Sequence, residues 1–404
     1  MVKVSDLRLF SFFIVMTWAI FLNSSLGTWL GYNPEILAMI PFMMFIIIRP
    51  IVQTIDFSIH KNKDAIYIII LAIIIFIFKI SLERDYLVSE YFARLFFLFI
   101  GPMLISICLE NSSRKEMNLL RKIVIAFFIV ECSVAIIERI NGANFFGTAA
   151  QNLLLSSMPS WEFRSAGLLG APLLGANCVV VFMSFVVFTD MNKKLQIGLF
   201  FLGYIALFCY NSRGAILVAT FFCIPYFFWK LNKTITWRRS TVIIGLCILS
   251  VGLFLLLSQT SLGGRIFNNP ELIDGSAQAR LDILKFHTLV RPDDLVWGNE
   301  DTYLYLWYSG FQAENGVIAL LLEFGILLTI PLLFFLFRFQ YRKLVSFPNI
   351  EKWLMFIVFY GIGTMNPNLA CSDLWRLWVF CFYAFRPESI IPKIQYHAKD
   401  IMAV

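Results

Sequence analysis

Charge is scarce in this chain. Asp, Glu, Lys and Arg make up 15% of its 404 residues, where a soluble domain carries about 25%. Hydrophobic residues reach 59% and the mean hydropathy is +0.77. These values exclude a soluble globular protein, and no polar stretch is large enough to form a soluble domain of useful size. Metal-ligand spacing is missing as well. The eight cysteines mostly lie within apolar blocks, none in a C-x-x-C pattern, and read as small buried apolar residues. There is no Walker A sequence, no H-E-x-x-H and no G-x-S-x-G, so nucleotide-driven pumping and metalloproteolysis have no support. No inverted pair of Gly/Pro-broken helices occupies matching halves, the pattern that would mark a secondary transporter. The net charge of +7 is not gathered on a basic face, so no nucleic-acid partner is expected. The first apolar block lacks a small-residue cleavage site, and reads as a membrane helix rather than a signal peptide.

What the chain does have is a succession of apolar blocks, each about long enough to cross a bilayer as a helix. Twelve are expected, near 9–27, 35–52, 65–81, 92–109, 121–138, 171–189, 195–211, 214–230, 240–258, 314–338, 352–366 and 370–386. The expected fold is all-α: one integral membrane domain over 1–404, with a large extracytoplasmic loop at 259–313 between the ninth and tenth helices. Alternate connections carry 22 of the 33 lysines and arginines. Short Lys- and Arg-rich loops stay in the cytoplasm, which puts both termini there and the large loop on the outer face. Seven of the remaining basic residues run against that signal between the fifth and tenth blocks: Arg139, Arg164, Arg213, Arg265, Arg280, Lys285 and Arg291.

Those outer cations concentrate the candidate chemistry. Lys285 and Arg291 read as solvated loop residues, because long insertions translocate largely regardless of charge. Arg213 sits in Asn211-Ser212-Arg213-Gly214-Ala215, a connection of about three residues between two helices. Arginine at that depth is costly unless it is paired or faces a polar cavity, although interfacial snorkelling is the plainer alternative. Arg164 precedes a stretch with Gly167, Gly170, Pro172 and Gly175 that allows a tight return into the membrane. Asp373 and Arg376, three apart, are placed to pair on one helix face. Arginines 164, 213 and 280 would all lie on one side of the membrane. Guanidinium groups bind phosphate oxygens in a bidentate manner, so the set suits a pyrophosphate whose lipid tail lies in the bilayer. Glu314, where the loop meets the tenth block, is the best-placed base for an attacking hydroxyl; a plain helix N-terminal acid is the other reading. His287 is the alternative base, and Asn315 a further contact for the acceptor.

In order along the chain, these features resemble the bacterial O-antigen ligase and O-antigen/capsule polymerase (Wzy-type) superfamily. Arg164-Ser165-Ala166-Gly167 with Pro172, Gly175 and Asn177 is similar to the family's arginine-glycine segment. Asn211-Ser212-Arg213-Gly214-Ala215 resembles its Ser-Arg-Gly-Ala signature. Arg280 lies where its large loop carries a further arginine, and Trp297-Gly298 is similar to the turn that follows. Glu314-Asn315 with Leu320, Glu323, Phe324 and Gly325 resembles the segment that opens the tenth helix. The family's ligases have histidine where this chain has Glu314, so the likeness leans toward a polymerase. The resemblance implies an inverting glycosyltransferase of the bacterial inner membrane with its site facing the periplasm. It would move glycan from an undecaprenyl-pyrophosphate-linked oligosaccharide to another lipid-linked repeat unit, without metal or cofactor. Arg164, Arg213 and Arg280 would hold the pyrophosphate, and Glu314 would activate the acceptor. Membrane lipid is an expected partner, and the resemblance leaves room for a chain-length regulator. A ligase acting on lipid A-core remains open. So does a passive carrier of lipid-linked sugar, for which Lys79, Glu131 and Glu323 are the candidate charges within helices.

Overall fold

Segments this rich in Ile, Leu and Phe offer their backbone little water, and a helix satisfies the backbone groups internally. The computed structural model describes residues 4–21, 59–82, 88–110, 112–146, 163–189, 191–232, 282, 285–299, 315–365 and 367–387. No strand occurs among them. In chain order they form α1 (Val4–Phe21), α2 (Ile59–Leu82) and α3 (Val88–Leu95), which runs through a π-turn (Phe96–Ile100) into α4 (Gly101–Glu110). Next come α5 (Arg114–Asn141), α6 (Pro172–Phe188), α7 (Lys193–Tyr210) and α8 (Arg213–Val218), which continues through a second π-turn (Ala219–Cys223) into α9 (Ile224–Asn232). Two short helices follow, α10 (Phe286–Leu289) and α11 (Pro292–Trp297). Then come α12 (Gly316–Leu344), α13 (Asn349–Met365), a 3₁₀ turn (Pro367–Ala370) and α14 (Ser372–Phe385).

Among the described residues, four helical stretches are long and apolar enough to cross a membrane: Asn62–Ser81, Phe92–Glu110, Lys193–Tyr210 and Gly316–Leu344. Their surfaces agree. On α2, Ile70, Ile73, Ile74 and Ile77 are all exposed, and at this spacing they form one helical face. Leu327, Ile330 and Phe334 do the same on α12. Continuous apolar faces of this kind suit hydrocarbon rather than water, and the chain is an α-helical membrane protein. The expected blocks at 35–52 and 240–258 lie outside the described residues, as do 259–281, 283, 284 and 300–313 of the expected loop.

The bundle is organised around α6. Every residue from Leu174 to Phe188 is buried, as expected for a helix that is apolar all round. It packs against α5, α7, α13 and α14. Phe128 of α5 stacks on Phe182 at 3.9 Å, and Phe185 meets Trp378 of α14 edge-on at 6.3 Å. The fifth expected block, 121–138, is longer in the structure. A capping box starts α5 at Ser113: its hydroxyl accepts from the Glu116 amide (3.3 Å), and Glu116 accepts from the Ser113 amide (2.7 Å). The first two turns are charged, so apolarity alone does not reveal them.

Neighbouring helices alternate in direction and the bundle has two chemically distinct ends. One end, named here for Arg386, carries Asp64 paired with Arg338 and Arg342, Glu110 with Lys343, and Glu351 with Lys230. The other, named for Arg213, gathers the close of α5 and α7, the segment 163–171, the start of α8, α11 and the start of α12. Asp373 and Arg376 lie there too, at the start of α14, and pair as their spacing suggested.

Candidate functional site at the Arg213 end

Two of the predicted arginines are brought together by backbone. Helix α7 ends at Asn211, whose left-handed φ of 52° turns the chain directly into α8. Arg213 is the first residue of α8, half-buried, with Ser212 as the N-cap. Alongside runs the segment 163–166, outside any helix. The Ser165 amide donates to Cys209 O at 3.1 Å, and Asn211 Nδ2 donates to Phe163 O at 3.5 Å. Arg164 lies between these two attachments and is half-buried. Both arginines therefore leave neighbouring backbone segments that are fixed to each other at one end of the bundle.

The Arg164 segment is held from behind by two carboxylates of α5. Glu138 Oε2 accepts from the amides of Ala166 and Gly167, both at 2.8 Å, and its Oε1 accepts from Phe145 N at 2.7 Å. Glu131, one heptad earlier on the same face, accepts from Leu168 N (2.8 Å) and Tyr210 Oη (2.5 Å). Asn144 spans the segment, with Oδ1 accepting from Ala166 N and Nδ2 donating to Arg164 O. Ser165 Oγ donates to Ala135 O at 2.7 Å, and the Arg139 guanidinium donates to Phe163 O. Hydrogen bonds to a charged group are worth about 1.5–3 kcal/mol each, so this is a rigid mount for Arg164. Sequence reasoning treated Glu131 only as a transport candidate and missed Glu138, Asn144 and Tyr210. A usable signal was present: two carboxylates seven apart inside an apolar block share a helix face and need partners.

The second half of the site is the junction of α11 with α12. Here Trp297-Gly298 and Glu323-Phe324-Gly325, separate in sequence, meet backbone to backbone. Gly298 (φ 74°) and Gly325 (φ 76°) approach so closely that a Cβ on either would lie 2.3–2.5 Å from the other segment's main chain. Only glycine fits both the positive φ and the contact. Gly325 also breaks α12, where Thr329 Oγ1 donates back across the kink to Leu320 O at 2.9 Å. Lys79 Nζ donates to Gly298 O at 2.6 Å, and Asn299 N donates to Leu322 O at 3.0 Å. Glu323 pairs with Arg94, whose Nη2 donates to Oε2 at 2.9 Å and whose Nε lies 2.9 Å from Oε1. The interior charges Lys79, Glu131 and Glu323 are all committed to fixed partners.

The remaining predicted residues are distributed unevenly. Asn315 is the N-cap of α12; its Oδ1 accepts from Val317 N (3.0 Å) and Ile318 N (3.2 Å). The start of α12 packs on the 3₁₀ turn at Pro367–Ala370, which follows α13. Gly214 abuts Met365 at the end of α13, where an added Cβ would lie 3.2 Å from Sδ. These contacts put the Asn315 cap and Arg213 on the same end of the bundle. His287 is exposed on α10. Arg280 and Glu314 lie outside the described residues. No protein-family model matches this chain, and no curated protein is significantly similar to it.

Proposed function

We propose that the chain is a bacterial polysaccharide repeat-unit polymerase, an inverting membrane glycosyltransferase of the O-antigen or capsule type. The supporting observation is the mounting of Arg164 and Arg213 on two backbone segments hydrogen-bonded to each other, at the bundle end that also holds the Asn315 cap. Two guanidinium groups at a membrane boundary suit the oxygens of a lipid pyrophosphate. The Arg386 end carries most of the short basic connections, and the positive-inside rule then puts it in the cytoplasm and the Arg213 end in the periplasm.

In this reading the acceptor hydroxyl oxygen attacks the anomeric carbon of the donor. The bond from that carbon to the pyrophosphate oxygen breaks, undecaprenyl pyrophosphate departs, and the hydroxyl proton passes to Glu314. Arg164, Arg213 and Arg280 stabilise the negative charge that grows on the leaving group. The donor already carries a good leaving group, so the step requires no nucleotide sugar or metal. The fixed partners of Lys79, Glu131 and Glu323 favour this reading over a passive carrier, which needs interior charges free to line a path.

The test is the surface polysaccharide of cells carrying Arg213→Ala or Arg164→Ala, with membrane protein level measured in parallel. Loss of long chains with single repeat units retained supports a polymerase. Loss of all transferred glycan, with polymer stranded on the carrier lipid, points to a ligase. Normal chain length in both variants overturns the proposal.

A further inference from the structure

We propose that the Arg386 end of the bundle binds a phosphate-class anion, in two cavities that meet at Arg386. The cavities measure about 230 and 490 Å³ and share Ser346 and Arg386 in their walls. Arg386 is 2% exposed. Its Nη1 lies 3.8 Å from Glu110 Oε1, and its Nε and Nη2 have no hydrogen-bond partner. Glu110 is already engaged elsewhere: its Oε2 accepts from Lys343 Nζ and Tyr383 Oη, both at 2.5 Å. The guanidinium otherwise rests against the Tyr383 ring, with Cζ 5.1 Å from the centroid.

A buried guanidinium with two unused nitrogens is an unfavourable arrangement unless an anion completes it. The surrounding charge balance points the same way. The cavity walls and their ion-pair partners present six cations (Arg121, Lys230, Arg338, Arg342, Lys343 and Arg386) against three carboxylates, Asp64, Glu110 and Glu351. A phosphate offers several oxygens in the geometry that a guanidinium fork recognises, and its charge offsets this excess. The cavities lie at helix ends, beyond the exposed isoleucine face of α2. Basic pockets between membrane helices are known to take anionic headgroups. The shared chemistry is phosphate, from a lipid headgroup or from the free ion.

The experiment uses the purified full-length protein in neutral detergent. Its thermal midpoint is titrated with dioctanoyl phosphatidylglycerol, dioctanoyl phosphatidylcholine or inorganic phosphate. A saturable rise with phosphatidylglycerol and none with phosphatidylcholine or phosphate supports a headgroup site. A saturable rise with inorganic phosphate supports the site with a soluble ligand. In either case Arg386→Gln weakens affinity by about tenfold or more. Arg342→Gln, a partly exposed wall residue, weakens it as well and carries the test if Arg386→Gln does not fold. Lys285→Gln, at the other end, leaves it unchanged. The proposal is overturned if neither anion shifts the midpoint, if phosphatidylcholine acts as strongly, or if affinity survives both arginine substitutions.

Discussion

Substituting Gly298 by alanine isolates the junction between the polar insert and α12. The new Cβ would lie 2.3 Å from Gly325 N and 2.5 Å from Glu323 O, where ordinary contact requires well over 3 Å. Backbone cannot yield as a flexible side chain does, so α11 must move away from the kink. A non-glycine residue at φ 74° costs about 1–2 kcal/mol by itself. Movement also breaks the bond from Lys79 to Gly298 O and the bond from Asn299 N to Leu322 O. The first, from a charged donor, is worth about 1.5–3 kcal/mol and the second about 0.5–1.5 kcal/mol. The sum, about 3–6.5 kcal/mol, falls on docking of this segment rather than on the bundle core. Hydrogen exchange should therefore rise sharply across 285–299 in Gly298→Ala, with the core of α6 unaffected. Gly325→Ala should produce the same local pattern. Unchanged protection of 285–299 in both variants would refute the steric reasoning.

Three further outcomes follow from the contacts. Glu138→Ala leaves the buried Gly167 amide without this acceptor, at about 1–3 kcal/mol, and also releases the amide of the exposed Phe145; the thermal midpoint in detergent should fall well below that of Glu138→Gln, which keeps one accepting oxygen. Arg94→Gln strands the buried Glu323 carboxylate and should cost about 3–5 kcal/mol, while the double variant Arg94→Gln/Glu323→Gln should recover much of that loss in a denaturation cycle. Ser113→Ala removes the cap of α5 and should lower stability by about 1 kcal/mol, with glycan transfer unaffected.

Legibility in the sequence followed the range of each interaction. The helices were readable because hydrophobic runs report local periodicity and length, and the Asp373–Arg376 pair because it spans one turn. Arg164 and Arg213 could be assigned to one end because chain direction alternates with each apolar block. Contacts between distant segments were less accessible. Nothing near Glu138 in sequence announces that its partners are the amides 28 and 29 residues later. Gly298 belonged to a motif that suggested a turn and Gly325 to the segment opening the tenth helix, but their mutual approach exists only once α11 docks on α12. Arg386 is one of the 22 basic residues in the alternate connections, which the sequence shows only as orienting charge, whereas burial beside Tyr383 makes it the pivot of two cavities. The start of α5 was hidden because a charged capping box, rather than apolarity, marks it.

In the proposed function, Arg164 and Arg213 together hold the pyrophosphate of a lipid-linked glycan. This role is tested most directly in proteoliposomes holding the purified protein and undecaprenyl-pyrophosphate-linked repeat units, with released undecaprenyl pyrophosphate and glycan length measured together. The wild-type chain should release the carrier in step with glycan growth, and Arg164→Ala and Arg213→Ala should each lower the rate by about 100-fold or more while remaining folded. Carrier release and glycan growth at the wild-type rate in the double variant would contradict this role.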